Sequence, residues 1–573
     1  MIFSFDEAQE AALHHYTKSF RGFSAMLTPE QAQKLAEKDS VVSVFESRMN
    51  ELHTTHSWQF LGIDSINQYK QLPMDSKSNI IVGMIDTGIW PESKSFIDEG
   101  LGPVPPKFRG ECVAGENFTL SNCNRKIIGV RYYSKGFEAE NGPLENQNQP
   151  FFRSARDTDG HGTHIASTVA GSVGFGLNPM EMGSSYGLIA GSAAAAPGAS
   201  SKNASFCKEN TLDPTLIKGK IVVCEIESIA DDRREKAIFI RQGGGVGIIL
   251  IDLVFKDVGF QFVIPGTLIG QEEAKELQAY MAMEKNPVAK IKQTVTNLFS
   301  KPAPAMAVFS AMGPNIITPD IIKPDITAPG VNILAAWSPV ATEATGERSV
   351  DYNIISGTSM SCPHVSAVAA ILKSIHPSWS PAAVKSAIMT TATVLDNSVK
   401  PIGRDPDRTP TTPFDYGSGH INPSAAADPG LIYDFDSIDI IDFLCSTGAT
   451  PLQLVNLTGE VVFCKYPPTP SYNFNYPSIG VSNMNGSLSV QRTVTYYGKD
   501  STVYYSKVDY PSGVKVKVTP NKLNFSKAGE KMSFRIDMIP FKSSNGGFVF
   551  GALTWSNGIH RVRSPIGINV VSV

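Results

Sequence analysis

No uninterrupted apolar stretch reaches the roughly 18 residues that a membrane-spanning helix needs, so no membrane anchor is expected. No basic stripe or arginine-rich tract occurs and the net charge is -4, which excludes nucleic acid as an expected partner. No tandem repeat stands out. Charged residues make up only 18% against 42% hydrophobic, a globular balance rather than a disordered one. No carboxylate cluster commits to calcium, and no metal or cofactor is expected. The opening Met-Ile-Phe-Ser-Phe-Asp-Glu-Ala lacks a basic start followed by an apolar stretch, so no signal peptide is visible. What is present is length. A chain of 573 residues is too long for one core and implies three or more domains.

Other features point out of the cell. Asn117-Phe-Thr, Asn203-Ala-Ser, Asn456-Leu-Thr, Asn485-Gly-Ser and Asn524-Phe-Ser are glycosylation sequons, each weak alone. Cys112/Cys123, Cys207/Cys224 and Cys445/Cys464 are near neighbours that could close short loops; free buried thiols are the competing reading. Cys362 is left over. Secreted features without a leader predict a truncated chain start.

Along the chain the texture changes several times. Residues 1–55 read as a small α+β unit. It has a strand over Phe20–Leu27, a helix capped by Thr28 with Pro29 at its first position and Gln31 reaching back, and a strand over Val41–Phe45. Leu52–Trp58 reads as polar and exposed. Ile80 to Ile85 is a continuous apolar run, as expected for a strand buried on both faces of a parallel sheet, with Asp86 at its carboxyl end. From about 200 to 298, Lys220–Cys224, Val246–Leu250 and Phe262–Pro265 read as short strands of an inserted β-rich module. The glycine cluster Gly243–Gly247 is read as a turn, not a nucleotide loop. Strand-like Asp351–Ser356, a helix through Val365, Val368 and Leu372, and a second helix capped by Ser380-Pro381 restore the α/β texture. Alternating strands such as Leu488–Tyr497 and Val514–Val518 suggest a C-terminal β-sandwich.

Three motifs carry chemistry. Gly357-Thr-Ser-Met-Ser-Cys-Pro-His364 follows a strand and opens a helix, placing the Ser359 hydroxyl at the helix's positive end; a plain N-cap is the alternative. Asp157-Thr-Asp-Gly-His-Gly-Thr-His164 puts His161 at a helix start, able to accept a serine proton. His161 and His164 as metal ligands is the competing reading, and two histidines do not complete a site. Asp86-Thr-Gly88 ends a strand, where a buried carboxylate can orient an imidazole. Aspartic proteases use the same tripeptide twice, and no second copy occurs here.

The order Asp, His, Ser is that of subtilisin. Asp86-Thr-Gly-Ile-Trp-Pro-Glu, Asp159-Gly-His-Gly-Thr-His and Gly357-Thr-Ser-Met-Ser-Cys-Pro-His resemble the three subtilase signatures, in the form of the plant cucumisin-like branch. The resemblance implies an α/β, subtilisin-like doubly wound parallel sheet with several attached parts. They are an α+β inhibitor-type prodomain (1–55), catalytic parts at 56–199 and 299–400, and a protease-associated insert (200–298). A connecting segment (401–471) and a fibronectin-III-like domain (472–573) complete the chain. It further implies a secreted serine endopeptidase acting on proteins or peptides, with Asp86, His161 and Ser359 catalytic. Its own prodomain would be the inhibitor, removed next to Thr55.

One part of the family pattern is missing. The asparagine that donates to the oxyanion belongs between the His and Ser motifs, and no such segment is found; Asn315 and Asn353 lie in other family segments. Tyr186–Gly191 matches the family soon after the His motif, and Ser205-Phe-Cys-Lys already matches the insert. The expectation is a catalytic domain with an internal deletion of central strands, impaired activity, and as alternative an inactive pseudoprotease that binds peptides or proteins.

Overall fold

The computed structural model describes residues 12–16, 22–25, 27–38, 41, 44, 57–63, 66, 80–146, 151–171, 182–294, 300–341 and 349–573. The chain divides into two units, Met1–His53 and Thr54–Val573.

In the first unit, β1 (Ala12–Tyr16) pairs antiparallel with β2 (Gly22–Ala25). Helix α1 (Pro29–Ala36) starts as its residues dictate. The Thr28 hydroxyl accepts the Gln31 N–H at 3.3 Å, and the Gln31 side chain accepts the Thr28 N–H at 2.7 Å. Of the strand expected over Val41–Phe45, only Val41 and Val44 are described, and neither is in a strand. The expected cleavage junction, Thr54-Thr55-His56, lies outside the described residues. Ser57, expected to be exposed, is buried, with its hydroxyl 2.8 Å from His364 Nε2.

The second unit holds three bodies of structure. The inserted module is a five-stranded sheet in the order β6-β5-β4-β3-β7. Its strands β3 (Tyr186–Ala190), β4 (Lys220–Glu225), β5 (Gly247–Ile251) and β6 (Gly266–Ile269) are parallel, and β7 (Val288–Ala289) is antiparallel. Helix α3 (Arg233–Gln242) buries Ala237 and Ile240 on the face formed by Val222, Cys224, Ile248 and Leu250. Helix α4 (Gln271–Met283) covers the other face, Ala274 meeting Ile221, Val223 and Ile249. Tyr186–Ala190, which lies before the expected boundary at 200, is a strand of this sheet. The third strand is also displaced, to Gly266–Ile269 rather than Phe262–Pro265. The glycine cluster is the α3–β5 turn, with Gly244 at φ +82°.

The C-terminal body is a two-sheet sandwich. It is reached through the small β10–β11 ladder (Gly403–Arg404 with Thr409–Pro410). One sheet runs β12-β14-β18-β16, from Leu431–Ile432, Leu488–Tyr496, Lys531–Pro540 and Val514–Thr519. The other runs β13-β20-β19-β15-β17, from Ile479–Asn485, Arg561–Ser572, Val549–Ser556, Thr502–Asp509 and Lys522–Phe525. Strict alternation, as in β16 with Val514, Val516 and Val518 inward, builds a core around Trp555, Tyr504 and Phe534.

The third body carries the three motifs and departs most from expectation. Ile80–Ile85 forms no strand. Ile81, Val82 and Met84 are 37%, 38% and 39% exposed, and Ile85 is fully exposed. Among the described residues between Ile80 and Thr393, outside the inserted sheet, the one ladder is β8 (Ile333–Ala336) antiparallel to β9 (Tyr352–Ile355). A strand needs neighbours for its N–H and C=O groups, and among the described residues the run has none. The helices persist. They are α2 (His161–Ala170), α5 (Thr358–Ile375) and α6 (Pro381–Thr390), the last capped by Ser380 Oγ on the Ala383 N–H at 2.9 Å. Val368 and Leu372 of α5 and Ala383, Ala387 and Ile388 of α6 form a common core with Leu61 and Ile421.

Candidate active site

The Asp and His motifs are held together by a fragment of parallel pairing. Ile89 N–H donates to the Ala155 carbonyl at 2.9 Å, and Asp157 N–H donates to Ile89 at 3.2 Å. Arg156 locks the same junction. Its guanidinium makes a bidentate pair with Glu92 at 2.8 and 2.7 Å and lies 4.4 Å from the Trp90 ring centre. Burial alone would raise the Glu92 carboxyl; the Arg156 hydrogen bonds and charge override it and hold it below the usual range.

This junction sets the geometry of the Asp86–His161 pair. Asp86 Oδ1 lies 2.7 Å from His161 Nδ1 and also accepts the Thr87 N–H at 2.8 Å. The Asp86 side chain is mostly buried, and that of His161 is one-third exposed. With Nδ1–H on the carboxylate, Nε2 is left to accept a proton.

A buried carboxylate that the sequence did not single out organises the loop. Asp157 Oδ1 accepts the Asp159 N–H at 3.0 Å, the Gly160 N–H at 2.8 Å and the Thr87 hydroxyl at 3.0 Å. Its Oδ2 accepts the Thr163 N–H at 2.9 Å and hydroxyl at 2.5 Å. Thr87 Oγ1 in turn accepts the Gly162 N–H at 2.8 Å, so the Asp motif caps the His helix. Gly160 has φ +95° and sits against Trp337, where a Cβ would collide with the indole. The signal was available: an aspartate two and three residues before the N–H groups it accepts is an Asx-turn spacing.

Ser359 stands in the first turn of α5. The turn is anchored by Gly357 N–H on the Gly330 carbonyl at 2.8 Å and by Ser361 Oγ on the Ala328 carbonyl at 2.9 Å. Helix α2 packs on α5, and Ile165, Met360 and Ile333 form one buried cluster between them. The His and Ser helices are thus brought side by side. No hydrogen bond joins Ser359 to His161 among the described residues.

The remaining candidates go elsewhere. His164 Nε2 donates to the Ile333 carbonyl at 2.9 Å, and burial pushes its pKa down to about 4. Its Nε2 is spent on fixing α2 to β8. Among the described residues, no group of three or more His, Cys, Asp or Glu is arranged to hold a metal ion. Asn315 Oδ1 accepts the Ile317 and Thr318 N–H groups at 2.9 and 3.2 Å, a turn role. Asn353 is buried in β9 opposite Ala335. The three expected cysteine pairs are disulfides, and Cys362 is free and exposed.

Comparison with known proteins bears on this arrangement. The subtilase family model matches residues 206–419, the peptidase inhibitor I9 model 3–53, and a fibronectin type-III domain model 473–568. The first match includes Ser359 but begins after Asp86 and His161. The chain is 56% identical to the subtilisin-like serine-protease S of Lotus japonicus, over 99% of this chain and 92% of that protein. It is 35% identical to the subtilisin-like protease SBT1.7 of Arabidopsis thaliana, over 97% and 91%. It is 34% identical to the CO(2)-response secreted protease of Arabidopsis thaliana, over 97% and 90%. The Lotus alignment spans 702 positions against 573 residues here, so that relative carries segments with no counterpart in this chain.

Proposed function

Since the chain belongs to the subtilase family of serine proteases, we propose that Asp86, His161 and Ser359 act as its catalytic triad. The observation that carries this reading is the 2.7 Å Asp86–His161 hydrogen bond at the start of a helix packed on the helix of Ser359. Ser359 Oγ attacks a peptide carbonyl while His161 Nε2 takes its proton. His161 then gives that proton to the leaving amine, and water releases the acyl group by the same route. Asp86 holds the ring and offsets its charge. Main-chain N–H groups at the start of the 18-residue α5 supply a positive end for the oxyanion. Without the family's asparagine donor, turnover is slower by about 100- to 1000-fold, the figure measured on subtilisin itself.

The I9-type unit is the chain's own inhibitor, cut off next to Thr55, and the inserted sheet is the protease-associated domain. Three disulfides and a relative named as secreted support a secretory route. A second reading, an inactive pseudoprotease that binds peptides, is favoured by the missing Ser359–His161 hydrogen bond and the uncovered Ile80–Ile85 run. A fluorophosphonate serine probe separates the two. Labelling lost in Ser359→Ala supports the enzyme; equal labelling of both chains leaves the pseudoprotease.

A further inference from the structure

All five sequon asparagines are exposed, but they stand on different structure. Two of them lie on the edge strands of one sheet: Asn485 ends β13, and Asn524 lies within β17. Strand β17 (Lys522–Phe525) ends the five-stranded sheet and pairs only with β15. Just before it, the Ser506 N–H donates to the Asn521 carbonyl at 3.0 Å. Main-chain groups alternate along an antiparallel ladder. Leu523 and Phe525 therefore turn theirs toward β15, and Lys522 and Asn524 turn theirs outward. The Leu523 and Phe525 side chains are in the core, so Lys522 and Asn524 also share the solvent face.

The sandwich's other three sheet edges each have a cover. On β13, the Asp320 carboxylate takes the Ser482 N–H at 2.7 Å. On β16, Lys515 and Lys517 are exposed along the strand. Strand β12 is two residues long. An open edge is a template for pairing with another chain, and natural sheets blunt it with charge, shortness or a cover. On β17, one lysine and the sequon Asn524-Phe525-Ser526 are what remain.

We propose that Asn524 is an N-glycosylated position whose glycan closes the β17 edge against self-association. The transfer joins Asn524 Nδ2 to the anomeric carbon of a lipid-pyrophosphate-linked oligosaccharide. The carbon–oxygen bond to pyrophosphate breaks, the lipid pyrophosphate leaves, and the amide loses one proton. The bulky, hydrated sugar then stands on the residue whose N–H and C=O face the gap. The proposal rests on the secretory route inferred above.

The test passes the full chain, behind a cleavable leader, through the secretory pathway of a plant cell. Mass spectrometry reads occupancy at each sequon, and sedimentation velocity reads association. Expected are a glycan at Asn524, its loss in Asn524→Gln with a several-fold rise in associated species, and retention in Ser526→Thr. Asn524→Lys, which replaces the sugar by charge, restores the monomer; Asn203→Gln loses a glycan without associating. Every variant keeps the Ile80–Ile85 run, so differences between them belong to β17. A bare Asn524 beside occupied sequons overturns this proposal alone. An Asn524→Gln chain as monomeric as its parent does the same. A chain bare at all five positions overturns the secretory reading with it.

Discussion

Gly247–Ile251 and Ile80–Ile85 are both short, uncharged, mostly aliphatic runs, and they end in opposite environments. The first is β5, fully buried, with β4 and β6 on its two sides and α3 and α4 on its two faces. The second has none of these among the described residues and lies exposed, although Asp86 follows it directly. Aliphatic composition states that a run is able to be a central strand. Whether it is one depends on segments far away in sequence that supply its hydrogen bonds and cover. Among the described residues, the body that carries the three motifs has its helices, its motif junctions and the two-stranded β8–β9 ladder, whereas the insert holds a sheet of five strands and the sandwich sheets of four and five.

The largest expected break between these bodies is acid. His164 and His420, both in the site-bearing body, have pKa values pushed by burial from the ordinary 6.5 down to about 4. Both fold in the neutral form. Their contribution is whole above pH 6.5 and is lost as pH falls toward 4, where the unfolded chain binds protons that the folded one refuses. The shifts correspond to about 3 kcal/mol each. Hydrogen exchange at pH 7 and pH 4.5 should show 358–390 opening well before 549–572. Simultaneous opening would mean that the two bodies are one cooperative unit.

Next comes a matched pair of truncations. Leu250→Ala should cost the insert about 2–5 kcal/mol of unfolding free energy. Ile85→Ala should change stability by no more than about 0.5 kcal/mol. Similar costs in urea melts would show that Ile80–Ile85 has a partner after all.

The insert also depends on a link. Replacing Cys207 and Cys224 together by alanine opens a loop of separation 17 and should cost about 3 kcal/mol, read by thermal melting. The smallest effect tests local structure. Ser380→Ala should lower stability by about 1 kcal/mol if α6 keeps its native cap. A cost near zero would mark the helix as already frayed.

Several parts were legible because their causes are local. The Thr28–Gln31 capping box, the Ser380 cap and the alternating strands of the sandwich rest on residues a few positions apart, and the cysteine pairs on separations of 11, 17 and 19. The Asp86–His161 pairing was legible through motif order, even though 75 residues separate the two. Arg156 escaped notice because its role exists only across the junction, where it reaches Glu92; Asp157 has a readable Asx-turn spacing to its local donors, and only its bond from the Thr87 hydroxyl depends on the junction. Tyr186–Ala190 was not read as part of the inserted sheet because it pairs with residues 33 positions further on, and pairing partners leave no mark in the strand itself.

By itself the sequence determined ancestry, the three motif residues, the caps and the cysteine pairs. These follow from side-chain chemistry at fixed spacing. Tertiary structure alone decided that Ile80–Ile85 stays bare while Gly247–Ile251 is buried, that the Thr87 hydroxyl reaches Asp157, and that Asn524 faces an open edge. A strand's hydrogen bonds and cover come from other segments, so whether an apolar run becomes a sheet is a property of the whole chain.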